Sequence, residues 1–373
     1  MNRERWLILG SHIPPAGHLG GMVRYTVQMI RALESLDSVE VHVHCRSDAT
    51  EVFTDDVGIS GDRVHATESQ GPMVDGVREL VGLGRLVEAV SPDVIFGSKH
   101  VVPLRPFAAD ARRVLTVHDL LPFDRPGDFG KAKRWLLPSI YRRSLREADV
   151  LACVSEATRR RLVDLFPATE QRAIVVANAM TPSLAAVDPS PMELVGTDGF
   201  VLVVGDRSPR KNVGFIVELW PDVLEHRPNA QLVLVGPPGW GTNEAAPGIR
   251  ELVSTGSVVE AGHVSDARLR WAYEHAAVTL CPSRLEGFGL PVVEALGLGC
   301  PVIHSADPAQ VEAAAGAGTA IGLEDRGAWV ESIVRHLDGV PRPRPSITRT
   351  WDDAASELAA SSARVPLQLS GRR

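Results

Sequence analysis

The chain of 373 residues contains few lysines and few cysteines. Lysine occurs only at positions 99, 131, 133 and 211, and arginine supplies the rest of the 39 basic side chains. The four cysteines are scattered and form no C-x-x-C pair. They are therefore predicted to be buried free thiols in a reducing compartment.

Long apolar runs are also missing. No run of 18 apolar residues occurs, so the sequence predicts no membrane-spanning helix. Residues 1–10 are predicted to form a first strand and not a signal peptide, because their apolar run is too short and polar residues flank it. The formal net charge of −7 argues against a general nucleic-acid binder. We therefore expect a cytoplasmic protein without a nucleic-acid partner.

The chain does contain enough apolar material for two cores. Hydrophobic residues make up 44% of it and charged residues 23%, and its length favours two domains. Predicted strands and helices alternate in both halves, which implies an α/β protein with two doubly wound parallel sheets. The predicted strands span residues 6–10, 39–44, 93–96, 114–117, 149–155 and 174–178, then 200–205, 231–236, 258–261, 278–281 and 302–304.

A stretch rich in Pro, Ser, Ala and Asp separates the two halves and is predicted to be a linker over residues 181–199. The first domain is then predicted over 1–180 and the second over 200–345. Residues 346–373 are predicted to form a final helix and a tail.

The most informative stretch follows the predicted strand 278–281. Gly287 and Gly289 predict a tight loop that leaves backbone N–H groups available, and Pro291 suits the first position of the helix that follows. A glycine loop that enters a helix just past a strand is a ready anion site.

Two carboxylates, Glu286 and Glu294, bracket this loop with seven residues between them. The arrangement suits a ligand with hydroxyls on both sides of a phosphate, because a carboxylate accepts hydrogen bonds from sugar O–H groups. The alternative for Glu294 alone is that it merely complements the helix dipole.

A second cationic turn, Gly-Asp-Arg-Ser-Pro-Arg-Lys-Asn, joins the strand at 200–205 to a predicted helix. It places Arg207, Arg210 and Lys211 between a strand end and a helix N-terminus. Phosphate is the natural partner of such a set, since arginine binds it bidentately and lysine as a point charge. A solvated basic turn is the alternative.

Two features of the first half are also candidates. Gly20 and Gly21 lie in a strand–helix turn that lacks the G-x-G-x-x-G spacing of a nicotinamide-cofactor site, and a simple need for small residues is the alternative explanation for them. His118 ends the predicted strand 114–117, and strand ends of open α/β sheets gather ligands. A histidine at a strand end is, however, usually just a satisfied polar residue.

The string Pro-Ser-Arg-Leu-Glu-Gly-Phe-Gly-Leu-Pro-Val-Val-Glu-Ala resembles the Glu-x7-Glu motif of retaining glycosyltransferases of family 4, which have the GT-B fold. The Pro-Arg-Lys-Asn turn, the His118-Asp119 pair, the Gly-His-Val segment at Val264 and the Gly20–Tyr25 loop are also similar to segments of that family. The likeness covers most of residues 5–360.

This resemblance implies two Rossmann-like domains that face a cleft, with the acceptor mainly on the first domain and the donor mainly on the second. The final helix would cross back toward the first domain. The activity implied is transfer of a sugar from a nucleoside-diphosphate sugar to an acceptor hydroxyl, with retention of configuration. The acceptor would be a glycan, a lipid or a small molecule. No cofactor and no metal are expected, and no Asp-x-Asp occurs.

The family's roles carry over to matching positions. Lys211 would contact the donor diphosphate beside Arg210, Glu286 would hold sugar hydroxyls, Glu294 would hold the ribose, and His118 would orient the sugar. Backbone amides would stabilise the leaving diphosphate. The other predicted donor-binding residues are Gly20, Gly21, Arg207, Val264, Gly287, Phe288, Gly289 and Leu290.

The chain departs from the family in two places. Asp206 stands where many members carry an arginine, so the arginine that accompanies Lys211 is left open between Arg207 and Arg210. A usual glutamate is missing at Ala309-Gln310. The motif variants favour mannosyltransferase-like members that use GDP-mannose. Alternatives are a nucleotide-sugar hydrolase or epimerase, a glucan phosphorylase of the same fold, or a non-catalytic binding protein.

Residues 131–147 carry six cations beside Trp135 and several aliphatic residues. A basic amphipathic stretch can lie on an anionic membrane surface, which would place the protein peripherally at the inner membrane face. The favoured alternative is a surface helix that packs its apolar face on the sheet. Pro138 is predicted to break the stretch into two helices.

Overall fold

The computed structural model describes residues 3–15, 20–104, 111–193, 199–237, 248–345 and 349–366. The described residues fall into two compact units. The first unit takes its residues from 1–123, 135–178 and 349–373, and the second from 124–134 and 179–348.

The described residues form thirteen strands. In chain order, β1 to β13 are Glu4–Leu9, Val39–Arg46, Val64–Thr67, Val94–Gly97, Arg112–Val117, Val150–Cys153, Ala173–Val175, Phe200–Val204, Gln231–Val235, Val258–Gly262, Val278–Cys281, Val302–Ser305 and Thr319–Ile321. All eleven predicted strands are present. The two that the sequence did not predict, β3 and β13, are sheet edges whose half-exposed side chains lack an apolar run.

The same residues form fourteen α-helices. In chain order, α1 to α14 are Gly21–Glu34, Pro72–Val81, Gly84–Val90, Leu121–Asp124, Lys131–Glu147, Glu156–Leu165, Pro182–Ala186, Val213–His226, Ile249–Ser254, Asp266–His275, Leu290–Gly297, Pro308–Ala314, Arg326–Leu337 and Trp351–Arg364. No helix of the described residues is both long and apolar enough to span a membrane.

The first unit contains a seven-stranded sheet in the order β3-β2-β1-β4-β5-β6-β7. Every pair of neighbours is parallel, because each strand returns through a crossover connection. The central strand β4 and also β6 are buried throughout, as both faces of the sheet are covered there. The final helix α14 belongs to this unit, where Trp351 packs edge-on against Tyr25 of α1 with ring centroids 5.6 Å apart.

The second unit contains a six-stranded parallel sheet in the order β10-β9-β8-β11-β12-β13. Hydrophobic side chains cover its two faces, with Trp220 and Trp329 fully buried in one cluster and Tyr273 in the other. The strand order reverses between β8 and β11. Ligands of open α/β sheets bind outside the carboxyl ends of the strands at this switch point.

The segment predicted as a linker contains a short helix and buried residues. Helix α7 lies within it, Leu184 is fully buried, and Arg270 donates hydrogen bonds to the carbonyls of Ala185 and Val187 at 2.7 and 2.8 Å. The described residues of this segment therefore pack on the second unit.

The prediction that Pro138 breaks its stretch is wrong, because α5 runs without interruption from Lys131 to Glu147. Proline removes one backbone donor, which a helix tolerates when other contacts hold it. Tyr141, Ser144 and Leu145, all on the C-terminal side of Pro138, are buried and provide those contacts.

Candidate functional site

Two turns of the second unit meet at the switch point, one after β8 and one after β11. The backbone N–H of Arg284 donates to the carbonyl of Arg210 at 2.7 Å. The side-chain amide of Asn212 donates to the carbonyl of Pro282 at 3.2 Å and accepts from Nε of Arg284 at 3.0 Å. Asn212 has φ of 54°, a left-handed conformation that asparagine tolerates better than most residues. The asparagine of the Pro-Arg-Lys-Asn turn thus ties the two turns together.

Glu286 lies where these turns meet, with 9% of its side chain exposed. Its Oε1 is 2.7 Å from Nζ of Lys211, and its Oε2 is 2.8 Å from a guanidinium nitrogen of Arg210. The hydroxyl of Ser283 donates to Oε1 at 2.7 Å. Burial alone would raise the pKa of Glu286, but Lys211 and Arg210 lower that pKa to about 2. The carboxylate is therefore ionised and fixes both cations.

A small pocket is built around this ion cluster. Its lining includes Lys211, Glu286, Gly289 and Gln310. Gly289 has φ of 101° and precedes α11, and a Cβ at this position would stand 3.3 Å from Cβ of Ala313. A side chain there would be strained by the backbone conformation and crowded by α12. The predicted glycine turn leading into a helix is confirmed.

The sequence left open which arginine accompanies Lys211. In the structure Arg210 shares Glu286 with Lys211, whereas Arg207 forms an ion pair with Glu260 of β10. Asp206, which stands in place of the usual arginine, accepts the backbone N–H of Ser208 at 3.1 Å and lines the pocket. The geometry therefore places Arg210 with Lys211.

Glu294 is 4% exposed on α11, and its two carboxylate oxygens are both engaged. Oε1 accepts from the hydroxyl of Thr181 and Oε2 from the hydroxyl of Tyr273, each at 3.1 Å. Glu286 lines the pocket, whereas Glu294 is not among the described residues of its lining. The sequence did not predict Thr181 or Tyr273, since both contacts join residues far apart in the chain.

Asp307 was also missed. Its Oδ1 caps α12 by accepting the N–H groups of Ala309 and Gln310 at 3.1 and 3.2 Å, and its Oδ2 accepts the N–H of Glu286 at 3.3 Å. Burial and the charge of Glu286 raise its pKa to about 6. An Asp-Pro pair at a helix start is a recognisable capping signal, so the cap could have been predicted, although the contact with Glu286 could not.

The remaining predicted donor-side residues of the second unit lie on its loops. Gly287, Phe288 and Leu290 flank Gly289 in the turn before α11, and Leu290 is the first residue of that helix. Val264 is half-buried after β10 and packs on the core cluster that contains Tyr273.

Three predicted residues belong to the first unit. Gly20 precedes α1 and Gly21 is its first residue. His118 is 8% exposed, donates from Nε2 to the carbonyl of Ser98 at 2.8 Å, and packs edge-on against Tyr25. Burial lowers the pKa of His118 to about 4, although the contact with Ser98 opposes the shift. The ring is neutral near pH 7, so its Nδ1 carries a lone pair that can accept a hydrogen bond.

Residues 20–179 match the model of the glycosyl transferase 4-like domain, and residues 188–339 match that of glycosyl transferases group 1. The chain belongs to glycosyltransferase family 4. Both halves of the chain are thus accounted for by domains of glycosyltransferases, as the motifs predicted.

Named relatives agree with this assignment. The chain is 27% identical to O-antigen chain mannosyltransferase B of Escherichia coli over 235 residues, which span 61% of the chain but only 60% of that relative. It is 22% identical to O-antigen chain mannosyltransferase RfbU of Salmonella typhimurium, across 86% of the chain and 88% of the relative. A D-inositol 3-phosphate glycosyltransferase of Kineococcus radiotolerans is 27% identical across 99% of the chain and 92% of its own length.

Solved structures confirm the GT-B fold. Sucrose-phosphate synthase from Thermosynechococcus elongatus superimposes with a TM-score of 0.65 at 18% identity, covering 96% of this chain and 94% of that one. Anabaena HepE in complex with UDP-glucose gives a TM-score of 0.62 at 16% identity, covering 97% and 95%. At these identities the likeness concerns the fold alone.

Proposed function

We propose that this glycosyltransferase moves a sugar, with mannose the first candidate, from a nucleoside-diphosphate donor to an acceptor hydroxyl. The observation that carries the proposal is the convergence of Lys211 and Arg210 on Glu286 at the switch point of the second sheet. Two cations that are already oriented suit a diphosphate, because they need little reorganisation when it binds.

Glu286 has two roles in this proposal: it orients the two cations before the donor binds, and it accepts hydrogen bonds from the sugar afterwards. A diphosphate that binds Lys211 and Arg210 takes over contacts that the carboxylate makes in the structure. The lone pairs of Glu286 then become available to hydroxyls of the transferred sugar, which a carboxylate accepts well. The N–H groups of the turn at Gly287–Leu290 would stabilise the same leaving group.

The other roles are proposed from the family resemblance. Glu294 would hold the ribose hydroxyls, which would share the carboxylate with Thr181 and Tyr273. His118 would accept a hydrogen bond from the sugar through Nδ1. Gly20 and Gly21 would let backbone approach the donor phosphate closely, and Arg207 and Val264 would border the nucleotide.

We further propose that the reaction retains the anomeric configuration, through departure and attack on one face, and that it needs no metal. The cations of the chain supply the charge that a metal would otherwise provide. Proton NMR of the first-formed product gives its anomeric configuration directly. A product with inverted configuration would contradict the proposed retention. Activity that persists in EDTA supports a metal-free site, and loss of activity in EDTA would contradict it.

The choice of mannose rests on the motif variants and on two relatives that are named mannosyltransferases. A thermal-shift screen with GDP, UDP, TDP and ADP identifies the nucleotide, since a ligand of the folded state raises its stability. A panel of nucleotide sugars, each with and without candidate acceptors, then tests the reaction. Consumption without an acceptor would favour a hydrolase or epimerase, and binding without turnover a non-catalytic protein.

We also propose that α5 contacts an anionic membrane surface from the cytoplasmic side. Trp135 is 80% exposed and Leu136 is 38% exposed, so a helix packed on the sheet does not account for them. Lys131, Lys133 and Arg134 are exposed beside them on the same helix. A tryptophan among cations suits the interface of an anionic bilayer. This contact would bring the enzyme to a membrane-bound acceptor.

A further inference from the structure

Gln310 is a polar residue of the pocket wall to which the family motifs assign no role. It lies on α12, is 1% exposed, and lines the pocket together with Lys211 and Glu286. Its Oε1 is buried and has no hydrogen-bond partner among the described residues. A buried acceptor without a donor costs free energy, and a hydroxyl of a bound ligand that reaches this oxygen would supply the missing donor.

The neighbouring hydroxyls fix which end of the amide is the oxygen. Ser305 donates its hydroxyl proton to the carbonyl of Ser283 at 2.6 Å, so its oxygen is left to accept. Nε2 of Gln310 donates to that oxygen at 2.9 Å and lies 3.5 Å from the carbonyl of Ser283. A flipped amide would set its oxygen against a carbonyl oxygen. Oε1 is therefore the end without a protein donor.

The charges of the pocket indicate which part of a ligand reaches Gln310. Among the charged residues that line the pocket, Lys211 is positive and suits phosphate, whereas Asp206 and Glu286 are negative and accept hydrogen bonds, as the Gln310 oxygen does. Arg210 contacts Glu286 from outside this lining. A carbonyl oxygen repels phosphate oxygens and attracts O–H groups. The lining therefore offers a cation to an anionic part of a ligand and acceptors to a hydroxyl-bearing part.

We propose that Oε1 of Gln310 accepts a hydrogen bond from one hydroxyl of the transferred sugar, which makes Gln310 a residue that selects the donor sugar. The proposal rests on the proposed function, since it takes the hydroxyl-bearing part to be the sugar of a nucleotide sugar. Glu286 would hold further hydroxyls of the same sugar. Selectivity arises because a sugar without that hydroxyl leaves Oε1 unpaired.

The test pairs Gln310→Met with nucleotide sugars that each lack one hydroxyl of the sugar. Wild type should lose about 10-fold in kcat/KM with one of these deoxy donors, which corresponds to one lost hydrogen bond. For Gln310→Met, kcat/KM with the full donor should fall by a similar factor. Replacing the full donor with that same deoxy donor should then cause no further loss in this variant. Its affinity for the free nucleoside diphosphate should stay within about 2-fold of wild type, because the proposed contact concerns the sugar alone.

Gln231→Met is the matched control, because Gln231 lies on β9 and its amide donates to the carbonyl of Gly256, away from the pocket. This control should keep the deoxy-donor profile of wild type. If Gln310→Met fails to fold, Gln310→Asn keeps an amide, withdraws the oxygen by about one bond length, and should show the same loss of discrimination.

The outcomes separate the two levels of the proposal. A wild type that neither binds nor turns over any nucleotide sugar overturns the proposed function together with this inference. Two outcomes would overturn the role of Gln310 alone, provided that the wild type transfers sugar. In one, the Gln310 variants discriminate among deoxy donors as the wild type does; in the other, their kcat/KM falls by the same factor with every donor. Weaker binding of the free nucleotide by the variants would likewise show that Gln310 only supports the pocket.

Discussion

Replacing Lys211 with alanine should slow transfer far more than it weakens donor binding. Nζ of Lys211 lies 2.7 Å from Oε1 of Glu286, and its side chain is only 14% exposed. A charge so shielded interacts more strongly with a diphosphate than an exposed lysine does. Loss of one such preorganised donor costs on the order of 100- to 1,000-fold in rate, roughly 3–4 kcal/mol. The loss should appear in kcat because the diphosphate gains negative charge as it leaves.

The same substitution should lower stability by a smaller amount. The pKa of Glu286 falls from 4.5 to about 2 in the folded protein, because Lys211 and Arg210 more than offset the effect of burial, which raises this pKa. At about 1.4 kcal/mol per pKa unit, the whole arrangement is worth roughly 3 kcal/mol. Arg210 and Ser283 remain in Lys211→Ala, so we expect a loss of about 1–2 kcal/mol in urea unfolding.

The assay measures initial rates with the identified donor and acceptor, at a temperature where both proteins are folded. Lys211→Arg retains the charge and should recover part of the rate, whereas Lys211→Met should match the alanine variant. The wild type should keep its activity in EDTA. Full activity of Lys211→Ala would refute the cationic site, and loss of wild-type activity in EDTA would refute its independence of metal.

Three further predictions concern Glu286, Asp307 and α5. Glu286→Ala should abolish transfer while far-UV circular dichroism stays native, because the residue lies in a turn and removes little core; near-normal turnover would contradict its assignment to the sugar. Asp307 has a folded pKa of about 6, above its usual value of 3.8, so this group favours the folded state at low pH and loses that contribution as pH rises from about 4 through 6. Asp307→Asn keeps the helix cap and should flatten this part of the stability curve, measured as Tm between pH 4.5 and 7.5. If Tm of the variant changed with pH as steeply as that of wild type, Asp307 would not be the group responsible. Wild type should float with anionic liposomes at low salt and less at moderate salt, and Trp135→Ala should float less in both; no binding at low salt would leave α5 an ordinary surface helix.

The strands of the two sheets, and the turns that carry Lys211 and Gly289, could be predicted because their signals are local. Buried parallel strands are short apolar runs, and the Gly287–Gly289 turn with Pro291 specifies the start of α11 within a few residues. Strands β3 and β13 were missed because their half-exposed side chains carry no such run. The continuity of α5 through Pro138 could not be predicted either, since it depends on the burial of residues that follow the proline.

Contacts between distant residues are where the sequence falls short. The link from Asn212 to Pro282 joins two turns that are 70 residues apart in the chain, and the link from Thr181 to Glu294 joins residues 113 apart. No periodicity encodes such pairs, because they depend on the strand order of the finished sheet. Gln310 shows the same limit, since its importance lies in an oxygen without a donor, which only the surrounding hydroxyls reveal.

The pairing of Lys211 and Arg210 with Glu286 also bears on how binding energy is divided during the reaction. In the proposed reaction, Lys211 and Arg210 would exchange contacts with an ionised carboxylate for contacts with the phosphate oxygens of the donor. The gain in the ground state is therefore a difference between two favourable interactions, and it is small. As the bond to the sugar breaks, charge accumulates on the diphosphate, whereas the charge of Glu286 does not change. The cations would then favour the diphosphate more strongly, so their contribution would fall mainly on the transition state and increase kcat.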